Sequence, residues 1–177
     1  MRLFIAVPAD EETRAEAAAV VARLRALPGD YRWVDPRDMH VTLRFFGETP
    51  EEKLPEVEAL MRAAAAKAKP FELSFGAVGA FDALEAPRVV WLGVEEGKAP
   101  LEELSKAVLR DEPRPYSPHL TIGRNRREEF VPEFVAGLKA QPSLALRRPV
   151  TKLALYASKP APFGHTYEIL SEADLGL

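Results

Sequence analysis

The chain has 177 residues, of which 47% are hydrophobic and 29% are charged, and its formal net charge is −3. These values are ordinary for a globular protein and exclude a disordered or fibrous chain, while the negative charge excludes a surface that attracts nucleic acid over its whole area. The absence of cysteine excludes disulfides, thiolate metal sites and cysteine nucleophiles. We expect one domain over residues 1–177.

The N-terminal half alternates between strand-like and helix-like spacing of apolar residues. Pro28 and Gly29 end the first helical pattern, and Pro50 suits the start of the second. Taken in chain order, the predicted elements are a strand at 2–7, a helix at 10–27, an extended segment at 31–34, a strand at 40–46 and a helix at 51–69.

The C-terminal half mixes the same two patterns without the strict strand-helix alternation of a doubly wound sheet. The predicted elements are strands at 71–78 and 88–94, a helix at 100–109, a strand at 119–123, a helix at 130–140, and strands at 144–146, 151–156 and 166–170. This order predicts an α+β fold with largely antiparallel sheets.

The N-terminal apolar run is followed by Asp10, Glu11 and Glu12, so it predicts a strand and not a signal peptide. No apolar stretch approaches the roughly 20 residues that cross a bilayer. We therefore expect a cytoplasmic protein with no membrane partner.

Two segments share a His-x-Thr pattern at the head of a predicted strand. One begins at His40 and includes Thr42, and the other begins at His119 and includes Thr121. Because side chains alternate across a strand, the histidine and threonine of each copy face one side and the apolar residues face the other. Two such strands side by side would place two imidazoles and two hydroxyls in one cleft.

This set of groups suits in-line displacement at phosphorus without a metal. A neutral histidine removes a proton from water while a protonated one gives a proton to the departing sugar oxygen, since an ordinary histidine pKa near 6.5 allows both forms. Threonine hydroxyls donate to the non-bridging oxygens. Arg124, five positions after His119, supplies a bidentate partner for the phosphate.

A single His-x-Thr is weak evidence, because histidines bonded to backbone carbonyls are common. The chain has three histidines, however, and two of them share this context. The third, His165, has its threonine adjacent and so on the opposite face. We expect His165 to be structural or exposed.

Other kinds of site lack their sequence signatures. The chain has no His-x-x-x-His spacing for zinc, no Gly-x-x-x-x-Gly-Lys or Gly-x-Gly-x-x-Gly phosphate loop, and no Gly-x-Ser-x-Gly elbow. We expect no metal, no cofactor and no acyl transfer.

Two groups of side chains remain open to two interpretations. Arg124, Arg126 and Arg127 form either a local basic groove or a solvated loop. The second group consists of aromatic rings that either pack in the core or stack on a base: Trp33, Phe45, Phe46, Trp91, Tyr116 and Phe163. Among them, Phe45 shares strand parity with Leu43, so we expect it to face the core.

Nearly the whole chain resembles the 2H phosphoesterase superfamily, and within it the RNA 2',3'-cyclic phosphodiesterases, also called 2',5' RNA ligases. The resemblance is carried by His40-Val41-Thr42-Leu43 with Phe46-Gly47-Glu48, and by Pro118-His119-Leu120-Thr121 with Arg124. The segments Arg2-Leu3-Phe4-Ile5-Ala6 and Leu155-Tyr156-Ala157-Ser158 give weaker support.

The resemblance implies two pseudo-symmetric lobes flanking a central groove, with one motif from each lobe. It implies hydrolysis of 2',3'-cyclic phosphates at RNA ends, tRNA halves among them, to 2'-phosphates, and reversible ATP-independent 2',5' joining. His40 would be the proton donor and His119 the proton acceptor, with Thr42, Thr121 and Arg124 on the phosphate. The residues themselves do not tell which histidine is the acid, and no obligate protein partner is implied.

Two alternatives keep the same side chains. One is a module that binds RNA ends or nucleotides without turning them over. The other is a 2H enzyme for a different cyclic or linear phosphodiester, such as an ADP-ribose cyclic phosphate or an oligoadenylate.

Overall fold

The computed structural model describes residues 1–176 and contains, within them, nine strands and four α-helices. The strands are β1 (Arg2–Pro8), β2 (Tyr31–Trp33), β3 (His40–Glu48), β4 (Phe71–Ala83), β5 (Ala86–Val94), β6 (His119–Asn125), β7 (Leu146–Val150), β8 (Lys152–Ala161) and β9 (Gly164–Asp174). The helices are α1 (Glu11–Arg25), α2 (Leu54–Lys67), α3 (Lys98–Ala107) and α4 (Pro132–Lys139).

The α+β prediction is confirmed, since every strand pairing is antiparallel. The predicted strand at 144–146 is wrong in position, because β7 covers Leu146–Val150 and includes Pro149. Proline is tolerated there since β7 lies at one edge of the sheet. The predicted strand at 71–78 was too short, because β4 and β5 continue into a hairpin that ends at the Ala83 and Ala86 pair.

The sheet is built from two halves of similar connectivity. Its strand order is β7-β4-β5-β6-β3-β1-β8-β9, with β2 paired to β6. We call the half containing β3, β1, β8 and β9 the first lobe, and the half containing β6, β5, β4, β7 and β2 the second lobe. The two lobes meet where β3 pairs with β6, and Val41 and Leu120 are the register partners there. The expectation of two pseudo-symmetric lobes is thus confirmed.

Each motif strand carries a β-bulge at the same place. Thr42 and Arg44 pair with consecutive residues of β1, so Leu43 between them has no partner. In the second lobe, Ile122 is skipped in the same way where β6 pairs with β5. Both bulged residues lie three positions after the histidine, which repeats the pseudo-symmetry in detail.

The bulges change which side chains share a face with the histidines. An extra residue in a strand shifts the alternation by one, so Phe45 and Arg124 face the same side as His40 and His119. The prediction that Phe45 faces the core is therefore wrong: its side chain is 52% exposed. Simple alternation would also have pointed Arg124 away from the histidines.

Strand β1 is buried on both faces, which explains its continuous apolar sequence. Leu3 and Ile5 belong to the main core, which also holds buried residues of α1 and α2. Phe4 and Ala6 point the other way and form a small second cluster with Tyr156. This second cluster supports the face of the sheet that carries His40.

Helix α1 has its ends stabilised by local charge. The Asp10 carboxylate caps the helix by accepting from Thr13 N at 2.9 Å. Acidic residues occupy the first turn and basic residues the last, which complements the helix dipole. Among residues 1–176, no helix has the length and apolar character needed to cross a membrane.

Candidate active site

The two His-x-Thr motifs line one groove between the lobes. His40, Thr42, His119 and Thr121 all lie on its surface, and its volume is about 1220 Å³. The antiparallel pairing of Val41 with Leu120 places each histidine beside the threonine of the other motif. The intervening apolar side chains are buried beneath, as strand alternation requires.

Both imidazoles are held in the same way. His40 Nδ1 lies 2.7 Å from the carbonyl oxygen of Asp38, and His119 Nδ1 lies 2.7 Å from that of Ser117. Because a carbonyl only accepts, Nδ1 carries the proton in each ring. The lone pair of each neutral ring is therefore on Nε2, the atom that a substrate in the groove would meet.

Aromatic rings support each imidazole. His40 lies 4.7 Å from Phe4 and 5.4 Å from Tyr156, measured between ring centroids. His119 has Phe81 at 4.9 Å, in a perpendicular contact. Tyr156 and Phe81 hold equivalent positions on β8 and β4. Sequence reasoning missed these supports because only strand register brings them to the motifs.

The groove disfavours protonation of both histidines. Burial, with the positive charges of His119 and Arg124 adding to it, lowers the pKa of His40 to about 4. Burial and Arg124 also lower the pKa of His119. Without an anion, both rings are neutral at pH 7. A bound phosphate reverses this effect, because a nearby negative charge favours the imidazolium.

Arg124 lines the groove, whereas its neighbours do not. Arg126 and Arg127 turn to Asp30, at 3.8 Å and 2.8 Å. Arg124 thus fits the interpretation as a basic groove, and Arg126 and Arg127 fit the interpretation as a solvated loop. Within residues 1–176, no carboxylate lies within ion-pair distance of Arg124, so its guanidinium is available to a phosphate.

Tyr116 links the two motifs. Its hydroxyl donates to the Thr42 carbonyl at 2.8 Å, and Arg44 of the same strand donates to the Val108 carbonyl at 2.9 Å. Together these bonds fasten the segment that precedes His119 onto β3. Neither interpretation of Tyr116 from the sequence anticipated this contact, because it joins parts of the chain 74 residues apart.

His165 is exposed, as one of the two expectations had it, and it lies at the rim of the groove. Its Nδ1 lies 3.2 Å from Ser158 Oγ. In the part of the chain that the structure describes, no cluster of three or more histidine, aspartate or glutamate side chains is arranged to hold a metal ion.

Known proteins share this architecture. A crystal structure from Thermus thermophilus superposes with a TM-score of 0.79 at 32% identity, covering 99% of this chain and 98% of that one. Escherichia coli LigT in complex with 3'-AMP superposes with a TM-score of 0.77 at 28% identity, with the same coverage.

Sequence comparison points the same way. A protein of Archaeoglobus fulgidus named RNA 2',3'-cyclic phosphodiesterase is 38% identical over 135 residues, which are 72% of this chain and 74% of that protein. The model of the 2'-5' RNA ligase superfamily matches residues 12–160, a span that contains both motifs. The chain therefore belongs to the 2'-5' RNA ligase superfamily.

Proposed function

We propose that the chain is a metal-independent phosphodiesterase that opens 2',3'-cyclic phosphates at RNA ends and leaves 2'-phosphomonoesters. The observation that carries the proposal is the matched pair of imidazoles, His40 and His119, each with its Nδ1 proton fixed on a carbonyl and a threonine beside it in one groove. The name of the Archaeoglobus relative and the nucleotide bound to LigT support it.

The reaction needs one proton removed and one supplied. In the roles that the family resemblance implies, His119 Nε2 takes a proton from water as its oxygen bonds to phosphorus. The bond from phosphorus to the 3' oxygen breaks, and protonated His40 Nε2 gives its proton to that oxygen. The phosphate stays on the 2' oxygen.

The charge of the substrate completes the machinery. Since the pKa of His40 in the free groove is about 4, the acid role requires the phosphate anion, which stabilises the imidazolium. Thr42 and Thr121 donate to the non-bridging oxygens, and Arg124 pairs with the same charge. These donors act where charge accumulates in the transition state.

The first lobe offers a surface for the base. Phe45 lies on the groove, is 52% exposed and packs against Phe4 at a centroid distance of 5.2 Å. A ring fixed on one face and open on the other is suited to stacking, which every base allows.

The proposed substrates are RNA ends or small nucleotides with a 2',3'-cyclic phosphate, tRNA halves included, in the cytoplasm.

The same geometry supports joining. If the 5' hydroxyl of a second RNA replaces water, it attacks phosphorus, the 3' oxygen leaves, and a 2',5' phosphodiester forms without ATP. The reverse reaction uses the two histidines in exchanged roles.

We take residues 1–177 as one two-lobed domain, supported by the continuous sheet.

The test is incubation with 2',3'-cyclic AMP in EDTA. The expected product is 2'-AMP, and 3'-AMP would contradict the assignment of the leaving oxygen. Binding of several cyclic nucleotides without product would favour the binding module instead. Faster turnover of an ADP-ribose cyclic phosphate or an oligoadenylate would favour a 2H enzyme with another substrate.

A further inference from the structure

Two arginines lie side by side on the groove face of the second lobe. Arg32 of β2 is the register partner of Arg124 of β6, and both line the groove. Like charges directly opposite each other destabilise a sheet. Within residues 1–176, neither guanidinium has a carboxylate within ion-pair distance to relieve this repulsion. The pair is therefore arranged for two negative charges that come from outside the chain.

Three of the other arginines that line the groove are neutralised by the protein. Arg37 is bonded to Asp35 at 2.8 Å and Arg110 to Glu112 at 3.1 Å. Arg88 lies 3.2 Å from Asp82 and also pairs with Glu128. An arginine that lines the groove can thus still be paired with a carboxylate. Arg32 differs from Arg37, Arg88 and Arg110 in this respect. Arg114, on the exposed segment before β6, also lines the groove and has no carboxylate within ion-pair distance among residues 1–176.

Arg32 is held in place without using up its donors. Its Nη1 donates to the Phe163 carbonyl at 2.6 Å, across the groove on the β8–β9 hairpin of the first lobe. Gly164 makes this approach feasible, because a Cβ at that position would overlap the Arg32 guanidinium. A guanidinium has five N–H donors, so most remain for a ligand.

We infer that Arg32 forms a second phosphate subsite, which takes the internucleotide phosphodiester next to the terminal cyclic phosphate. The inference rests on the proposed function, in which Arg124 pairs with the cyclic phosphate. Side chains of directly opposed residues start only about 5 Å apart, so the two guanidinium groups serve neighbouring phosphates of one strand. The preferred substrate is then RNA of at least two nucleotides.

Space and stacking agree with a second nucleotide. The groove, at about 1220 Å³, exceeds the roughly 300–1,000 Å³ of pockets that hold one small ligand. Phe163, whose carbonyl holds Arg32, lines the groove and is 80% exposed. A solvent-facing ring beside the second phosphate gives the penultimate base a stacking platform.

The experiment compares kcat/KM for 2',3'-cyclic AMP with kcat/KM for the dinucleotide ApA carrying a 2',3'-cyclic end. We expect the wild type to favour the dinucleotide, and Arg32→Gln to reduce the dinucleotide-to-mononucleotide ratio about tenfold. Arg37→Gln is the matched control, since Arg37 lines the same groove with its charge held by Asp35. It should leave the ratio within about twofold.

A second measurement does not depend on any variant folding. A dinucleotide whose internucleotide linkage is an uncharged methylphosphonate should lose the advantage over the mononucleotide with the wild-type protein. Equal turnover of the two dinucleotides, or a ratio that Arg32→Gln leaves unchanged, overturns the subsite. If neither cyclic phosphate is hydrolysed, the proposed function itself has failed, which is a different outcome.

Discussion

Val41 and Leu120 are register partners, and each lies between the histidine and the threonine of its motif. Their backbones join the two lobes at the point where the chemistry is proposed, while their side chains are buried on the opposite face. The relative positions of the two imidazoles therefore depend on one local pairing and on the contacts that support it.

Replacing either motif histidine should stop turnover. His40→Ala and His119→Ala each remove one of the proposed proton-transfer groups, a change worth about 10²–10⁴-fold in rate, so kcat for 2',3'-cyclic AMP should fall by at least 100-fold. Both rings lie at the groove surface, and circular dichroism should show an intact fold. His165→Ala, at the exposed rim, should keep kcat within about twofold. Retained activity in either motif variant would contradict the assignment.

Removing the Tyr116 hydroxyl should slow catalysis more than it weakens binding. In Tyr116→Phe the bond to the Thr42 carbonyl is lost, the segment before His119 is less firmly held, and kcat should fall about tenfold with little change in KM. Losing one buried hydrogen bond costs about 1 kcal/mol in stability.

Tyr31→Phe is the matched control for this prediction. It deletes an equivalent bond, from Tyr31 to the Pro87 carbonyl at 2.8 Å, outside the motifs. It should lower stability similarly and leave kcat unchanged. In proton NMR, the imidazole signals of His40 and His119 should move in Tyr116→Phe and the His165 signal should not. A purely structural role would give the two variants the same kinetics.

Truncating Phe45 should weaken recognition of the base. Stacking of a base on an aromatic ring is worth about 1–3 kcal/mol, so Phe45→Ala should raise KM for 2',3'-cyclic AMP by about tenfold or more. The comparison substrate is a ribose 2',3'-cyclic phosphate without a base, for which KM should not change. An equal rise for both substrates would show that Phe45 does not contact the base.

Acid should destabilise the free protein through His40. Its folded-state pKa of about 4 is below the ordinary value near 6.5, so the unfolded chain binds more protons between these values. By linkage, stability falls as the pH drops through this window and the penalty is complete below about pH 4. Melting temperatures measured from pH 7 to 4 should show a smaller decline in His40→Gln. An unchanged decline would mean that His40 titrates normally.

The sequence determined most of the secondary structure and the content of the site. Apolar periodicity located the helices and most strands within a few residues, because burial of one face imposes a period on the chain. The duplicated pattern selected His40, Thr42, His119 and Thr121, since alternation along a strand is a local property.

Only the tertiary structure decided what depends on pairing. The bulges at Leu43 and Ile122 turn Phe45 and Arg124 into the groove. A bulge is a feature of the pairing between two strands, so neither strand shows it by itself. The edge position of β7 admits Pro149, the contact of Tyr116 with Thr42 spans 74 residues, and Arg32 meets Arg124 across a strand pair. Local spacing carries no information about such partners, because register is set by the packing of the whole sheet.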